Sequence, residues 1–380
     1  MARGDAEASI RVLAVTTHRP EEVLNSVTGS DEETAVVTID GANGTLGRGV
    51  EAVREVRRAL RAHDPDVVLL DCHELLGFLT TTLCLAYGVP VVPRLVGDTW
   101  RIFAEEGVRK ARRERDYGRL LNYGLSLLVN RFTFSRAAGF VVVSEDLKSV
   151  THRRTGCPRE RIAVVPVPMT TDTAREGSAS DARRALGVEE EHVLLTVTNL
   201  AFEGKYEGVR QTIDEIRPLL AANPDTAYVV AGDGEYHADL QRYVRETVDD
   251  PAVRARIYAP GFVDSVSDLY ALAEAFVYVS HLDGYPNTVL EAQTARLPVA
   301  ANAAYGMREQ IEHGETGLLV DASNDGAIGE AVGRLLADED ERERLGRNAR
   351  ACVLERNAPE TVARQLRGGL ADIVSAVRGN

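Results

Sequence analysis

Lysine is almost absent from this chain. Only Lys110, Lys148 and Lys205 occur among its 44 Lys and Arg residues, against 58 Asp and Glu, so the formal net charge is −14. Such an acidic chain is excluded as a general nucleic-acid binder, which needs a basic surface to neutralise phosphates. Carboxylates hold a hydration shell in concentrated salt better than long lysine stems do. The composition therefore points to a salt-adapted prokaryote, such as a halophilic archaeon. Cysteine is also scarce. Cys72, Cys84, Cys157 and Cys352 stand far apart with no C-x-x-C pair, which speaks against a disulfide framework or zinc site and for reduced, cytoplasmic thiols. No apolar run approaches the roughly 20 residues that span a bilayer. The first ten residues lack the charged start and apolar stretch of a signal peptide. Glycine is missing where a dinucleotide fold needs it, because the first strand runs into Thr16-Thr-His-Arg-Pro20; a nicotinamide dehydrogenase is disfavoured. Gly204-Lys205-Tyr206 lacks the other residues of a P-loop, and neither H-E-x-x-H nor G-x-S-x-G occurs. Asp64-Pro-Asp66 and Asp338-Glu-Asp340 read as a turn and a solvated helix face rather than as metal-binding pairs.

What is present is alternation. With 380 residues, 44% of them hydrophobic, the chain has material for two domains with real cores. Short apolar runs at 10–15, 35–39, 67–70, 89–92, 140–143 and 162–165 read as strands. Their continuous apolarity suits parallel strands buried on both faces. Amphipathic segments such as 50–61 and 75–87 lie between them. The pattern pauses in a stretch rich in Pro, Thr, Ser, Gly and Asp, read as a linker. It resumes with strands at 192–198, 227–231, 256–258, 276–279, 298–301 and 317–320. The predicted class is α/β, with two doubly wound parallel sheets facing a cleft. The predicted division is residues 1–168, a linker at 169–191, a second domain at 192–356, and a last helix at 357–380 packing back on the first domain.

The most informative stretch is 280–320. After the strand at 276–279, Asp283 and Gly284 form a turn, and Pro286 fits the first position of a helix. The free N–H groups of such a helix start form an anion site. Glu291 follows about two turns later. One acid can then meet sugar hydroxyls and the other a ribose, with phosphate between them.

These residues resemble the donor motif of the family-4 retaining glycosyltransferases, which have the GT-B fold. The motif's acid pair falls at Asp283 and Glu291. Arg296-Leu-Pro298-Val299 matches the strand entry that follows it. Tyr305-Gly306-Met-Arg-Glu309 matches a Gly-Gly-x-Pro-Glu turn, with Tyr305 in place of the first glycine, and the segment ending at Gly317 matches what comes next. Upstream, the turn at Asn199 followed by Gly204-Lys205 looks like the part that grips the donor pyrophosphate. The turns at Gly232 and at Gly261-Phe262-Val263 look like those beside the nucleobase. The match is dense in the second half and thin in the first.

The resemblance implies a UDP- or GDP-sugar donor and no further cofactor or metal. Lys205 and the helix start at Pro286 and Asn287 would stabilise the leaving diphosphate. Glu291 would bind the ribose, and Asp283 the sugar, with Gly284, Tyr285 and Glu309 lining the donor. There are departures. Asn199 stands where the family usually has arginine, and the first-domain histidine falls at Val96, beside Gly97 and Asp98. His73 or Asp98 are the acceptor-side candidates, and for each a structural role fits as well. The implied reaction moves a hexose-type sugar to a lipid-linked or other cell-envelope glycan acceptor. Two alternatives stay open: a non-catalytic sugar-nucleotide-binding subunit of a glycosylation complex, which Asn199 and Val96 favour, and a nucleotide-sugar epimerase on the same fold.

One island breaks the acidity. Residues 101–136 hold nine Lys or Arg against four Asp or Glu and run into an apolar segment. That mixture suits peripheral contact with an anionic membrane surface or a lipid-phosphate acceptor. It equally suits a buried apolar helix with a solvated arginine face.

Overall fold

The structure is a computed structural model, and it describes residues 10–17, 34–39, 45–72, 74–169 and 177–379. Two compact units divide the chain: residues 1–170 together with 357–380, and residues 171–356.

The first unit holds β1 (Val12–Thr16), β2 (Thr34–Thr38), β3 (Val67–Asp71), β4 (Val91–Leu95), β5 (Phe140–Val142) and β6 (Ile162–Val164). All pairings are parallel, in the order β2-β1-β3-β4-β5-β6. β1 is buried at every position, whereas the edge strand β2 is only partly covered. Val12, Val67, Val92 and Val141 face one core and Leu13, Val68, Leu70 and Val91 the other. That two-residue alternation is why the strands read as unbroken apolar runs. The last helix, Pro359–Arg378, belongs to this unit. It places Val362, Leu366, Leu370 and Ile373, one face of a helix, in the core with Val12 and Val67.

The second unit repeats the plan with β7 (His192–Val197), β8 (Thr226–Ala231), β9 (Ile257–Gly261), β10 (Ala275–Tyr278), β11 (Val299–Asn302) and β12 (Leu318–Val320). The order is β12-β11-β10-β7-β8-β9, again parallel. The chain leaves β7 toward β8 and β9, then returns to lay β10 on the other side of β7. Ligands of doubly wound sheets bind outside the carboxyl ends of the two strands at such a reversal.

One expectation needs correction. The stretch read as a linker contains a helix, Ala179–Leu186, capped by the Ser178 side chain at its start and by left-handed Gly187 at its end. Ala182 and Val188 are buried in the core of the second unit. Ser, Asp and Gly looked like turn residues because caps use the same chemistry as turns.

Candidate active site

Two helices begin at the carboxyl ends of β7 and β10. The helix after β7, Glu203–Ala222, starts close against the loop after β10. The N–H of His281 donates to the carbonyl of Gly204 at 3.0 Å. A Cβ on Gly204 would lie 2.9 Å from that of Leu282, and one on Gly208 would lie 2.0 Å from the Val279 carbonyl. Only glycine permits this approach, and the approach delivers Lys205. Lys205 therefore stands in the first turn of a helix and not in a loop. Its ammonium lies 3.0 Å from Asp283 Oδ2, with the two side chains 15% and 12% exposed.

Asp283 is held from three sides. The Tyr278 hydroxyl donates to Oδ2 at 2.6 Å, and the N–H of Gly284 donates to Oδ1 at 2.8 Å. Burial, then the neighbouring Asp283 charge, holds the Tyr278 phenol well above its ordinary value, so it stays a donor. Glu291 is anchored in the same manner: the Tyr270 hydroxyl donates to its Oε2 at 2.8 Å. Burial and then Glu291 raise that phenol likewise.

The helix after β10 is Asn287–Thr294, and Pro286 is its N-cap rather than its first helical residue. The ψ of 121° at Pro286 is extended, because the chain turns into the helix one residue later. Proline offers no capping side chain, so the N–H groups of Asn287 and Thr288 have no intrahelical acceptor. The Pro286 carbonyl accepts from Val289 N–H at 3.2 Å and from the buried Gln310 amide at 2.9 Å. Gly306 closes on this loop: its N–H donates to the Gly284 carbonyl at 2.9 Å, and a Cβ there would lie 2.3 Å from the same oxygen. Tyr305, where the resemblance puts glycine, has φ +50°. It accepts a left-handed backbone, and its hydroxyl donates to the His281 carbonyl at 2.8 Å. Asn302 clasps Ser280, accepting from its N–H at 3.0 Å and donating to its carbonyl at 2.9 Å.

The remaining donor-side residues sit on the turns after β8 and β9. Gly232 has φ +130° and leaves no room for a Cβ against the Thr198 carbonyl. Its N–H donates to Gly261 O at 2.8 Å. Phe262 is 74% exposed, a flat ring open to stacking. Val263 packs partly into the core. Asn199 is exposed beyond β7, and Glu309 is half-buried in the short helix Met307–Gln310. In the first unit, Asp98 accepts the Arg101 N–H on its side chain at 2.9 Å and the Ile102 N–H on its carbonyl at 3.0 Å, which makes it the cap of the helical turn that starts at Thr99 and leads into Arg101–Gly107. Gly97 is half-buried beside it. His73 lies outside the described residues.

The structure thus brings Lys205, Asp283, Gly284, Tyr285 and Pro286 together around the helix start at Asn287. The sequence reading missed Tyr270, Tyr278, Asn302 and Gln310. A hint was present for Tyr278: a tyrosine in a buried strand needs a partner for its hydroxyl, and the first acid after the strand is Asp283.

A cationic side chain beside a helix N-terminus at a sheet reversal is chemistry for a phosphate group. Residues 1–173 match the family described as Glycosyltransferase Family 4, and residues 179–351 match Glycosyl transferases group 1. The chain is 27% identical over 224 residues to alpha-D-kanosaminyltransferase of Streptomyces kanamyceticus, covering 58% of this chain and 56% of that protein. It is 29% identical over 212 residues to the D-inositol 3-phosphate glycosyltransferase of Acidothermus cellulolyticus, covering 54% and 47%. The match thus spans about half the length of these relatives. The crystal structure of Anabaena HepE in complex with UDP-glucose superimposes with a TM-score of 0.71 at 15% identity, over 95% of this chain and 99% of that one. The fold is therefore that of the GT-B glycosyltransferases, two α/β domains with parallel sheets. The two family matches together with this fold support the chain's place among the group 1 and family 4 glycosyltransferases.

Proposed function

We propose that this protein is a retaining glycosyltransferase that moves a hexose-type sugar from a UDP- or GDP-sugar to a lipid-linked or other cell-envelope acceptor. The observation that carries the reading is the Lys205–Asp283 pair at the reversal between β7 and β10, beside the uncapped helix start at Asn287. The donor diphosphate binds there, against Lys205 and the N–H groups of Asn287 and Thr288. These supply the positive charge that a leaving diphosphate requires, so no metal ion is needed. Glu291, oriented by Tyr270, accepts hydrogen bonds from the ribose hydroxyls. Asp283, oriented by Tyr278, and the Gly284 backbone hold the sugar. The acceptor attacks from the face that the diphosphate leaves, and a phosphate oxygen takes its proton. That HepE was crystallised with UDP-glucose supports a uridine donor by analogy of fold. The acceptor and nucleobase classes, the salt adaptation and the membrane contact through 101–136 belong to this same proposal.

The test is a panel of nucleotide-sugars scored by thermal shift and by slow donor hydrolysis, with a chelator present. A melting-temperature rise with UDP or GDP, and hydrolysis of one donor, are expected. Glu291→Ala should weaken donor binding by about 10–100-fold, the range for losing hydrogen bonds to a charged group. Unchanged binding in that variant removes the ribose assignment. The exposed Asn199, standing where the resemblance puts an arginine, favours the reading as a non-catalytic binding subunit. Nucleotide binding without hydrolysis or transfer would establish that reading instead.

A further inference from the structure

The helix Tyr117–Arg136 buries polar side chains and leaves an apolar row outside. Much of its inward face is polar, with Ser126, Asn130 and Thr133 buried beside Phe134. Ser126 donates to Glu74 Oε1 at 2.9 Å, and Asn130 Oδ1 accepts the Glu74 N–H at 2.8 Å. The neighbouring helix Glu74–Tyr87 adds buried Thr80 and Thr81. Among the described residues, the Oγ of Thr80, Thr81 and Thr133 and the Nδ2 of Asn130 are buried without a protein partner. The outward face is the apolar one: Tyr117, Leu121, Leu125 and Leu128 are 75%, 76%, 57% and 66% exposed. Steps of four, four and three residues put them in one row along the helix. A soluble helix shows the opposite arrangement, and a contiguous exposed apolar row marks an interaction surface.

The charge around the row identifies its partner. Arg131 continues the row one turn beyond Leu128, and Arg112 and Arg115 precede the helix. All three are exposed, and among the described residues none pairs with a carboxylate. The nine basic and four acidic residues of 101–136 stand in a chain of net charge −14. A second copy of the chain is a poor occupant, because a two-fold interface through this face would oppose two basic surfaces. We propose that this face docks on an anionic lipid bilayer, with the Tyr117–Leu128 row entering the headgroup boundary and the flanking arginines meeting lipid phosphates. The proposal deepens the lipid-acceptor reading above and rests on it for its purpose. Among the described residues no helix is long and apolar enough to cross a membrane, so the contact is peripheral. In molar salt the arginine contribution is screened to about 3 Å, and the leucine row carries the docking.

The test is co-sedimentation of the full-length chain with vesicles of phosphatidylcholine alone and of phosphatidylcholine with an equal part of phosphatidylglycerol. In low salt, binding is expected only with phosphatidylglycerol, and equal binding to both vesicles there overturns the anionic-lipid proposal. The variant Leu121→Ser/Leu125→Ser/Leu128→Ser should lower it by about tenfold or more, with far-UV circular dichroism and melting temperature unchanged. Wild-type protein that stays in the supernatant overturns the proposal, as does a triple variant that sediments as the wild type does. A concentration-dependent dimer that the triple variant abolishes overturns it in favour of self-association. Nucleotide thermal shift and donor hydrolysis are read on the same samples. Their loss with vesicle binding intact removes the transfer reading alone, and the reverse removes the docking alone.

Discussion

Both sheets are parallel and doubly wound, one reversing after its second strand and the other after its third, and each carries an ion pair near the carboxyl ends of its strands, but the pairs are built differently. In the first unit both partners are sheet residues. Arg94 lies within β4 and Asp71 ends β3, 3.3 Å apart with side chains 4% and 12% exposed. Thr16, at the end of β1, donates to the same Asp71 at 3.1 Å. Three neighbouring strands are fastened by one carboxylate. In the second unit the pair lies beyond the strand ends, with Lys205 on a helix and Asp283 on a loop. A pair inside the sheet fixes strands. A pair beyond it, beside N–H groups that no side chain caps, can exchange its partner for a ligand.

That comparison can be broken, and the largest expected effect comes from the first unit. Arg94→Met strands a buried carboxylate and should cost about 3–5 kcal/mol of stability in urea unfolding, with nucleotide thermal shift retained. Full stability together with lost transfer would move this pair from scaffold to site. Next comes Lys205→Ala, expected to lower donor turnover by about 10²–10³-fold, the usual cost of one charge-stabilising group. A drop in stability alone, with turnover per folded molecule unchanged, would make the second pair a fastening like the first.

A smaller effect is expected from Tyr278→Phe, which removes a hydrogen bond to a carboxylate worth about 1.5–3 kcal/mol. The pH dependence gives an independent reading. Tyr278 and Tyr270 are held protonated above their ordinary value of 10.0, so above about pH 10 the unfolded chain binds fewer protons than the folded one. Stability is therefore fully present below that pH and falls as pH rises beyond it. Melting curves between pH 8 and 11, whose span follows from that ordinary tyrosine value, should show a shallower decline in Tyr278→Phe than in the wild type. The smallest effect is expected from Asp98→Ala, about 1 kcal/mol for a lost cap with donor hydrolysis intact. A large loss of transfer to acceptor would restore Asp98 to the acceptor side.

Much of the scaffold was legible in the chain. Each apolar run read as a strand overlaps one of the twelve strands among the described residues, because parallel strands covered on both faces are built mainly from apolar residues. Their ends shifted by a few residues: β4 runs Val91–Leu95 and includes Pro93 and Arg94, which local pattern marks as non-strand. The helix Ala179–Leu186 was hidden by its own caps. In the site, glycines and acids were visible as a motif. The tyrosines that orient the acids were not, since each looks like core until its hydroxyl is placed.

The sequence by itself determined two parallel sheets, the strands that form them and the residues that collect at the second reversal, because burial on both faces and glycine turns are local properties. Only the tertiary structure decided that Lys205 meets Asp283, that Tyr278 and Tyr270 hold the two acids, and that the helix Tyr117–Arg136 turns its leucines outward. Residues distant in the chain meet only when β10 is laid beside β7. The face a helix buries is chosen by its neighbours as well as by its own pattern, and here half-buried Glu74 binds buried Ser126 and Asn130 and leaves the apolar row to the outside.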